Sequence, residues 1–359
     1  MSLLTVVSYN KKAGKGEEKM KKATLCVIFG GNSQEYEVSL RSVDTILRYI
    51  DREKYDLYII GMTKEGKWYL FEGDEKTIRE DLWEKEEKTE VNLSFNEKSF
   101  ITADGIRISP DRTLIMMHGE YGEDGRIQSV LDLAGIKYVG CDSFASSLCM
   151  DKQLAKEIAK SIGINVSYDI VINKNDYDIS ATLNECEKMG YPLFVKCARG
   201  GSSVGVKQVK NEKALKSAIK GLFELCPKLL IEKKQSGTET EVAILEKNGE
   251  ILDTGCGQIK YVGEYYDYKS KYKCKQNQYI IPARIDKETE KSLLDKSKRL
   301  FFALGCKDLC RIDYFVTENG EIVFNEVNTL PGFTDISMYP MIMKNQGNSL
   351  PKLVDILLS

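Results

Sequence analysis

Residues 24–29 are apolar apart from Thr24, and the chain then meets Gly30-Gly31-Asn32-Ser33 before Val43, Ile46, Leu47 and Ile50 recur at helical spacing. That order predicts a strand, a tight loop and a helix. Further apolar stretches at 56–61 and 113–117 add strands of one sheet, in an α/β unit reaching to about residue 142. The charged stretch 72–96 follows neither the helical nor the strand period. Leu154, Ile158 and Ile162, closed by Gly163, form one helical stripe, and Ala214, Leu215, Ala218, Ile219, Leu222 and Phe223 form another. Strand-like runs at 193–197 and 204–209 lie between them, so residues 143–236 read as a small α+β unit. A third unit, 237–359, has strand patterns at 241–245, 251–255, 311–317 and 321–328, and helical ones at 287–304 and near the C-terminus.

Length and charge narrow the functional class. At 359 residues the chain has room for two or three domains and a cleft between them. Its 52 Lys and Arg balance 54 Asp and Glu, a formal net charge of -2, with no basic block suited to nucleic acid. A small-molecule partner is expected. The ten cysteines are scattered, with Cys306 and Cys310 the closest pair, so neither a zinc spacing nor a secreted disulfide framework is present. No apolar run nears the roughly 20 residues of a membrane span. The first 22 residues lack a signal-peptide core and read as a disordered leader or an artefact of the assigned start, and a reducing cytoplasm is the expected location.

Three segments carry candidate chemistry. Asn319-Gly320 suits a two-residue hairpin turn, and such a turn sets Asp313 opposite Glu326 and Arg311 opposite Asn328, all on one face. Facing carboxylates repel unless a cation lies between them, and a divalent metal meets that need; a solvated, water-separated face is the alternative. Lys196 ends an apolar run just before Arg199-Gly200-Gly201-Ser202-Ser203-Val204-Gly205, where glycines let backbone N–H groups approach phosphate, although an ordinary glycine-rich hairpin has the same pattern. No Gly-Lys-Ser/Thr closes it into a P-loop. The only histidine, His118, opens His118-Gly119-Glu120-Tyr121-Gly122-Glu123-Asp124-Gly125 at a predicted strand end, where open α/β sheets bind ligands. A structural histidine is the competing reading.

Taken in order, these blocks resemble the D-alanine:D-alanine ligases of the ATP-grasp superfamily. The match runs from about Cys26 to the C-terminus, through Phe29-Gly30-Gly31 with Glu37-Val38-Ser39, His118-Gly119, Met150-Asp151-Lys152, Gly201-Ser202-Ser203-Val204-Gly205, Tyr266-Asp267-Tyr268 with Lys271-Tyr272, Asn325-Glu326-Val327-Asn328-Thr329 and Pro331-Gly332-Phe333-Thr334. The resemblance implies an α/β and α+β chain, an ATP-grasp fold preceded by a Rossmann-like domain. It further implies ATP with two magnesium ions, or manganese in their place, D-amino acid substrates, a cytoplasmic homodimer and a role in peptidoglycan precursor synthesis. By analogy Lys152, Lys196, Ser203 and Lys271 would meet the ATP phosphates, Glu232 and Lys233 the adenine edge, and Glu239 the ribose. Asp313, Glu326 and Asn328 would hold metal. Glu37 would anchor the first ammonium, and Tyr272 on a closing loop would bond Ser202 and through it Glu37. Arg311 and the Gly332 N–H would form the oxyanion site. His118, Ser337 and Met338 would line the substrate pocket, with Ser337 binding the second carboxylate.

Departures from the family pattern are few. Cys197 stands where the family has proline, and Arg126 and Ser129 replace residues of a Thr-Leu-Gln-Gly block. Tyr272 speaks against the lactate-adding relatives of vancomycin resistance, and Met338 after Ser337 favours D-alanine over D-serine as second substrate. A silent nucleotide-binding paralogue would not need Lys196, Arg311, Asp313, Glu326 and Asn328 together, and a carboxylase would not explain the glutamate, serine and tyrosine trio.

Overall fold

The structure is a computed structural model that describes residues 21–201, 205–260, 277–334 and 336–359. Its N-terminal part runs β1 (Ala23–Gly30), α1 (Tyr36–Leu47), β2 (Tyr55–Met62), β3 (Trp68–Phe71), α2 (Lys76–Arg79), β4 (Lys88–Ser94), β5 (Ser99–Thr102), β6 (Arg107–Ile108), β7 (Arg112–Met116), α3 (Arg126–Leu133) and β8 (Tyr138–Val139). These strands form one sheet in the order β6-β5-β4-β3-β2-β1-β7-β8. The β2, β1, β7 and β8 part is parallel and the remaining pairings are antiparallel. β1 is buried on both faces: Leu25, Val27 and Phe29 join one core, Cys26 and Ile28 another, which explains its unbroken apolar run.

The charged stretch 72–96 contains α2, a single 3₁₀ turn and β4. Its largest anchor is the fully buried Trp83, whose indole donates to the Tyr36 hydroxyl at 2.8 Å and packs edge-on against Phe29, and Ile78 and Val91 are buried with it. Gly61 makes room for it, since a Cβ there would lie 2.5 Å from the indole ring. Buried positions at 78, 83 and 91 in a polar stretch follow neither the helical nor the strand period.

The chain continues through α4 (Ser143–Met150), α5 (Lys152–Ser161), β9 (Asn165–Val166), β10 (Asp169–Asn173), α6 (Ile179–Met189), β11 (Leu193–Cys197), β12 (Val206–Val209), α7 (Glu212–Leu222) and β13 (Lys228–Lys233). β10-β13-β11-β12 is a four-stranded antiparallel sheet backed by α6 and α7. Then follow β14 (Thr238–Lys247), β15 (Glu250–Lys260), β16 (Gln278–Ile280), α8 (Lys287–Ala303), β17 (Leu309–Val316), β18 (Ile322–Asn328), α9 (Met338–Asn345) and α10 (Leu350–Leu358). The sheet β16-β15-β14-β17-β18-β9 carries α4, α5 and α8 on one face. Although α4 and α5 precede the small sheet in sequence, Ala145, Ala155 and Ala159 pack into the core of this larger one. On the opposite face Ala243 and Leu245 join α9, α10 and α1 in a core shared with the N-terminal sheet.

The hairpin β17–β18 pairs Asp313 with Glu326 and Arg311 with Asn328, as the turn reading requires, but by another route. The turn spans Thr317 to Glu321, with Gly320 N–H donating to Thr317 O and only Gly320 at positive φ, so it is one residue longer than the two-residue turn expected. A bulge opposite Asp313 and Tyr314 then shifts the register back by one. The bulge has a consequence for the site. Phe324 and Val327 both face the core, while the intervening Asn325 and Glu326 both reach Lys side chains in the cleft.

Candidate active site

The cleft lies where the three sheets meet and encloses about 920 Å³ of space open to solvent. Its floor is the polar face of the six-stranded sheet. Across β14, β17 and β18 stand Glu241, Asp313 and Glu326 in one row, register partners in turn. Arg311 lies among them: Nε donates to Asp313 Oδ1 and Nη2 to Asp313 Oδ2, each at 2.8 Å, and Nε is 2.8 Å from Glu241 Oε2. Burial works against the guanidinium charge, but Asp313 and Glu241 outweigh it and raise the Arg311 pKa further. Asn328 donates to Asp313 Oδ2 at 3.2 Å. In the sequence Glu241 is only the first residue of a strand pattern. Its signal was the alternation Glu239-Thr240-Glu241, two carboxylates two residues apart on one strand face.

Lysines close the row from the other side. Lys152, at the first position of α5, donates to Gly200 O at 2.6 Å and pairs with Glu326 Oε2 at 3.1 Å. Asp151 caps that helix through Leu154 N–H, so the cap fixes where Lys152 starts. Lys196, at the end of β11, donates to Asn325 Oδ1 at 3.4 Å and pairs with Glu232 Oε2 at 2.6 Å. Burial pulls its ammonium down, but Glu232 and then Glu326 and Glu239 leave it above the ordinary lysine value. Glu232 is itself clamped from behind by the fully buried Lys156, which also donates to Ser167 Oγ at 2.7 Å. Burial would raise the Glu232 carboxyl, yet the two ammonium groups bring it down to about 2. Lys233 beside it is exposed, and Glu239 lies on the same strand face as Glu241.

The N-terminal wall corrects one assignment. Glu37 is exposed and pairs with Arg41 on the same outer helix face, at 3.9 Å, rather than entering the cleft. Glu35 takes that place: a Cβ on Gly119 or Gly201 would lie 2.6 or 2.7 Å from its Oε2, so both glycines make room for this carboxylate. Residues two apart on a helix point to opposite sides, so only one of the pair can face inward. His118 lines the cleft, yet both its ring nitrogens are engaged. Leu330 O can only accept, so Nδ1 donates to it at 2.9 Å, and Nε2 accepts from Ser42 Oγ at 2.9 Å. Ser42 Oγ in turn accepts from Phe333 N–H, so His118 and Ser42 together fasten the loop 330–333 to the N-terminal sheet.

That loop brings Gly332 and Ser337 to the cleft. A Cβ on Gly332 would lie 2.8 Å from Ser337 Oγ, and this hydroxyl also meets Thr334 at 2.8 Å. Met338, the first residue of α9, is buried against Gly257 and Ile281 and lines the same end of the cleft as Ile259 and Tyr279. Cys197, in the place of the family proline, bonds to Cys226. Arg126 stacks over Tyr121 and Ser129 bonds back to Gly125 O, so both departures near the histidine loop are accommodated locally. Ser202, Ser203, Lys271 and Tyr272 lie outside the described residues.

Among the described residues, no helix is long and apolar enough to cross a membrane. Residues 24–141 match the family model described as D-ala D-ala ligase N-terminus, and residues 158–359 match that of the D-ala D-ala ligase C-terminus. The chain is similar to D-alanine–D-alanine ligase B of Clostridium tetani, 37% identical, covering 96% of this chain and 95% of that one. It is also similar to the vancomycin C-type resistance protein VanC1 of Enterococcus gallinarum, 36% identical over 93% and 97%. Among solved structures it superposes on the VanG D-Ala:D-Ser ligase of Enterococcus faecalis with a TM-score of 0.86 and 38% identity, covering 94% of this chain and 99% of that one. For the D-alanine–D-alanine ligase of Coxiella burnetii the values are 0.83 and 28%, over 94% and 93%. With both family models matched, with relatives above a third identical along nearly the whole length, and with the mixed sheets arranged as in those enzymes, the chain belongs to the D-alanine–D-alanine ligase family of ATP-grasp enzymes.

Proposed function

We propose that this chain uses ATP to phosphorylate the carboxylate of one D-alanine and couples the product to the amine of a second, forming D-alanyl-D-alanine. The observation that carries this reading is the placement of Arg311, Asp313, Glu326 and Asn328 on one sheet face opposite Lys152 and Lys196. Transfer of a phosphoryl group to a carboxylate crowds anions together, and fixed cations lower that cost in a site screened from water. Lys152 supplies one such charge from the start of α5 and Lys196 another from β11 of the four-stranded sheet. Arg311 is aimed at the cleft to stabilise an oxyanion, a contribution of about 3 to 4 kcal/mol for one good donor. Glu35, at the meeting point of the histidine loop and the glycine-rich loop, receives the ammonium of the first substrate, and Ser337 at the start of α9 receives the carboxylate of the second.

The donor set also fits magnesium. Two carboxylates and an amide on one face are the oxygen ligands Mg²⁺ uses alongside substrate phosphates, and Asp313, Glu326 and Asn328 would hold it. When bound, the ion neutralises charge that builds on the transferred phosphoryl oxygens.

A second reading, D-serine as the second substrate, is favoured by the likeness to the D-Ala:D-Ser ligase named above. Against it stands Met338, an apolar wall that gives a serine hydroxyl no partner and costs it about 1 to 3 kcal/mol of desolvation. The test is phosphate release with ATP, magnesium and D-alanine, D-serine or D-lactate, singly and in pairs, with the products identified by mass. D-Alanyl-D-alanine from an equal mixture of D-alanine and D-serine is expected. Predominant D-alanyl-D-serine would establish the second reading, and no ADP with any of them would exclude the ligase.

A further inference from the structure

We propose that Glu241 is a positioning residue that holds the Arg311 guanidinium in its working orientation, an inference that rests on the ligase reading above. A guanidinium on a flexible three-carbon stem is useful at a reacting carbonyl only if its plane is fixed, since a displacement of about 1 Å costs on the order of a hundredfold in rate. Two carboxylates flank Nε here, Asp313 taking its single hydrogen and Glu241 Oε2 lying beside it as an ion-pair partner. Asp313 accepts from Nε and Nη2, and Glu241 reaches Nε at 2.8 Å from the neighbouring strand.

The two are not equivalent. Asp313 also accepts from Asn328 and stands directly opposite Glu326, among the oxygens assigned to metal, so its hold on the arginine is divided. Glu241 stands one strand further away, with Asp313 as its register partner on one side and Gly257 on the other. Its register leaves it outside the Asp313, Glu326 and Asn328 set, so its grip on Arg311 does not compete with that set. Sterics agree. Ala243 is the residue directly opposite Arg311 on β14, and its small side chain leaves the guanidinium free to lean towards Glu241. The carboxylate is 3% exposed, and a buried carboxylate without a compensating cation would cost several kcal/mol, so the pairing is a built feature of the cleft floor.

The experiment is a double-mutant cycle on the full chain with Glu241→Gln, Arg311→Lys and both together, reading kcat, KM for ATP, KM for D-alanine and the melting midpoint. Glutamine keeps size and removes charge. The expected result is a fall in kcat of about tenfold or more in Glu241→Gln, with KM for ATP within about twofold. In the Arg311→Lys background the same change should cost less than about twofold, because the group it positions is gone. Glu241→Asp, which keeps the charge one methylene shorter, should fall between the unmodified enzyme and Glu241→Gln, and it serves as the readout if the glutamine variant does not fold. Unchanged kcat in Glu241→Gln, or effects that multiply fully in the double variant, would overturn the inference and leave the ligase reading standing. Absence of dipeptide from the unmodified enzyme would overturn both.

Discussion

Glu35 and Glu37 differ by two positions and sit in opposite surroundings. Glu35 immediately precedes α1 and projects where Gly119 and Gly201 have no side chains, while Glu37 lies on the outer helix face beside Arg41. An ammonium in the cleft would therefore meet Glu35. Glu35→Gln should raise KM for D-alanine or lower kcat/KM by about a hundredfold, the scale of a charge-assisted hydrogen bond of roughly 1.5 to 3 kcal/mol. Glu37→Gln should leave both within about twofold, because an exposed pair at that spacing contributes only about 0.3 to 0.5 kcal/mol. Steady-state kinetics on the two variants decide the matter, and a larger loss in Glu37→Gln would reverse the assignment. The sequence pattern pointed to Glu37 alone; which of Glu35 and Glu37 faces inward depends on where the first helical turn begins, and no side-chain cap marks it. Similarly, a lone histidine reveals nothing of the carbonyl and hydroxyl it will meet, which for His118 lie 212 and 76 residues away.

At the level of elements, the acid pair on β17 and β18 was legible because strand periodicity fixes which residues share a face. The turn and the bulge were not. Each moves the register by one residue and they cancel at Asp313 and Glu326, so the correct pairing follows from a turn that is one residue too short. Scattered cysteines also concealed a pairing: Cys197, at the end of β11, bonds to Cys226, which precedes β13, closing a loop of 29 residues around α7. Cross-linking a loop of that length removes chain entropy from the unfolded state worth about 3 to 4 kcal/mol. Cys226→Ser should accordingly lower the melting midpoint by several degrees, and a thiol reductant should lower it comparably in the unmodified protein and not further in the variant. Identical melting of the two proteins with and without reductant would show that the bond contributes nothing. The bond also bears on Gly205, where a Cβ would come within 2.8 Å of Cys197 Sγ, so a side chain at 205 has nowhere to go.

Across the whole molecule, α5 joins the small sheet to the large one. Its alanines are embedded in the core of the six-stranded sheet, while Asp151 at its start meets Lys228 and Arg199, and Lys156 meets Glu232 on β13. The cleft thus depends on ion pairs that cross between sheets, and these respond to pH. Glu232 titrates at about 2 when folded against an ordinary value of 4.5, so its contribution to stability is complete above about 4.5. As pH falls below that, the unfolded chain takes up a proton that the folded chain refuses, and the contribution is lost progressively until about 2. Lys156, held below the ordinary lysine value by burial, remains charged in both states throughout that range and does not alter the slope. Asp169, pushed up by burial and by Glu232 itself, works in the opposite sense and partly offsets the loss. Glu232→Gln should therefore start less stable at neutral pH, by about 3 to 5 kcal/mol, because it leaves two buried ammonium groups facing a neutral amide. Between pH 4.5 and 2 its stability should fall less steeply than that of the unmodified protein, so the two denaturation profiles converge on acidification. Parallel profiles across that range would mean that Glu232 is not held ionised by its lysines, and that the union of the two sheets rests on packing alone.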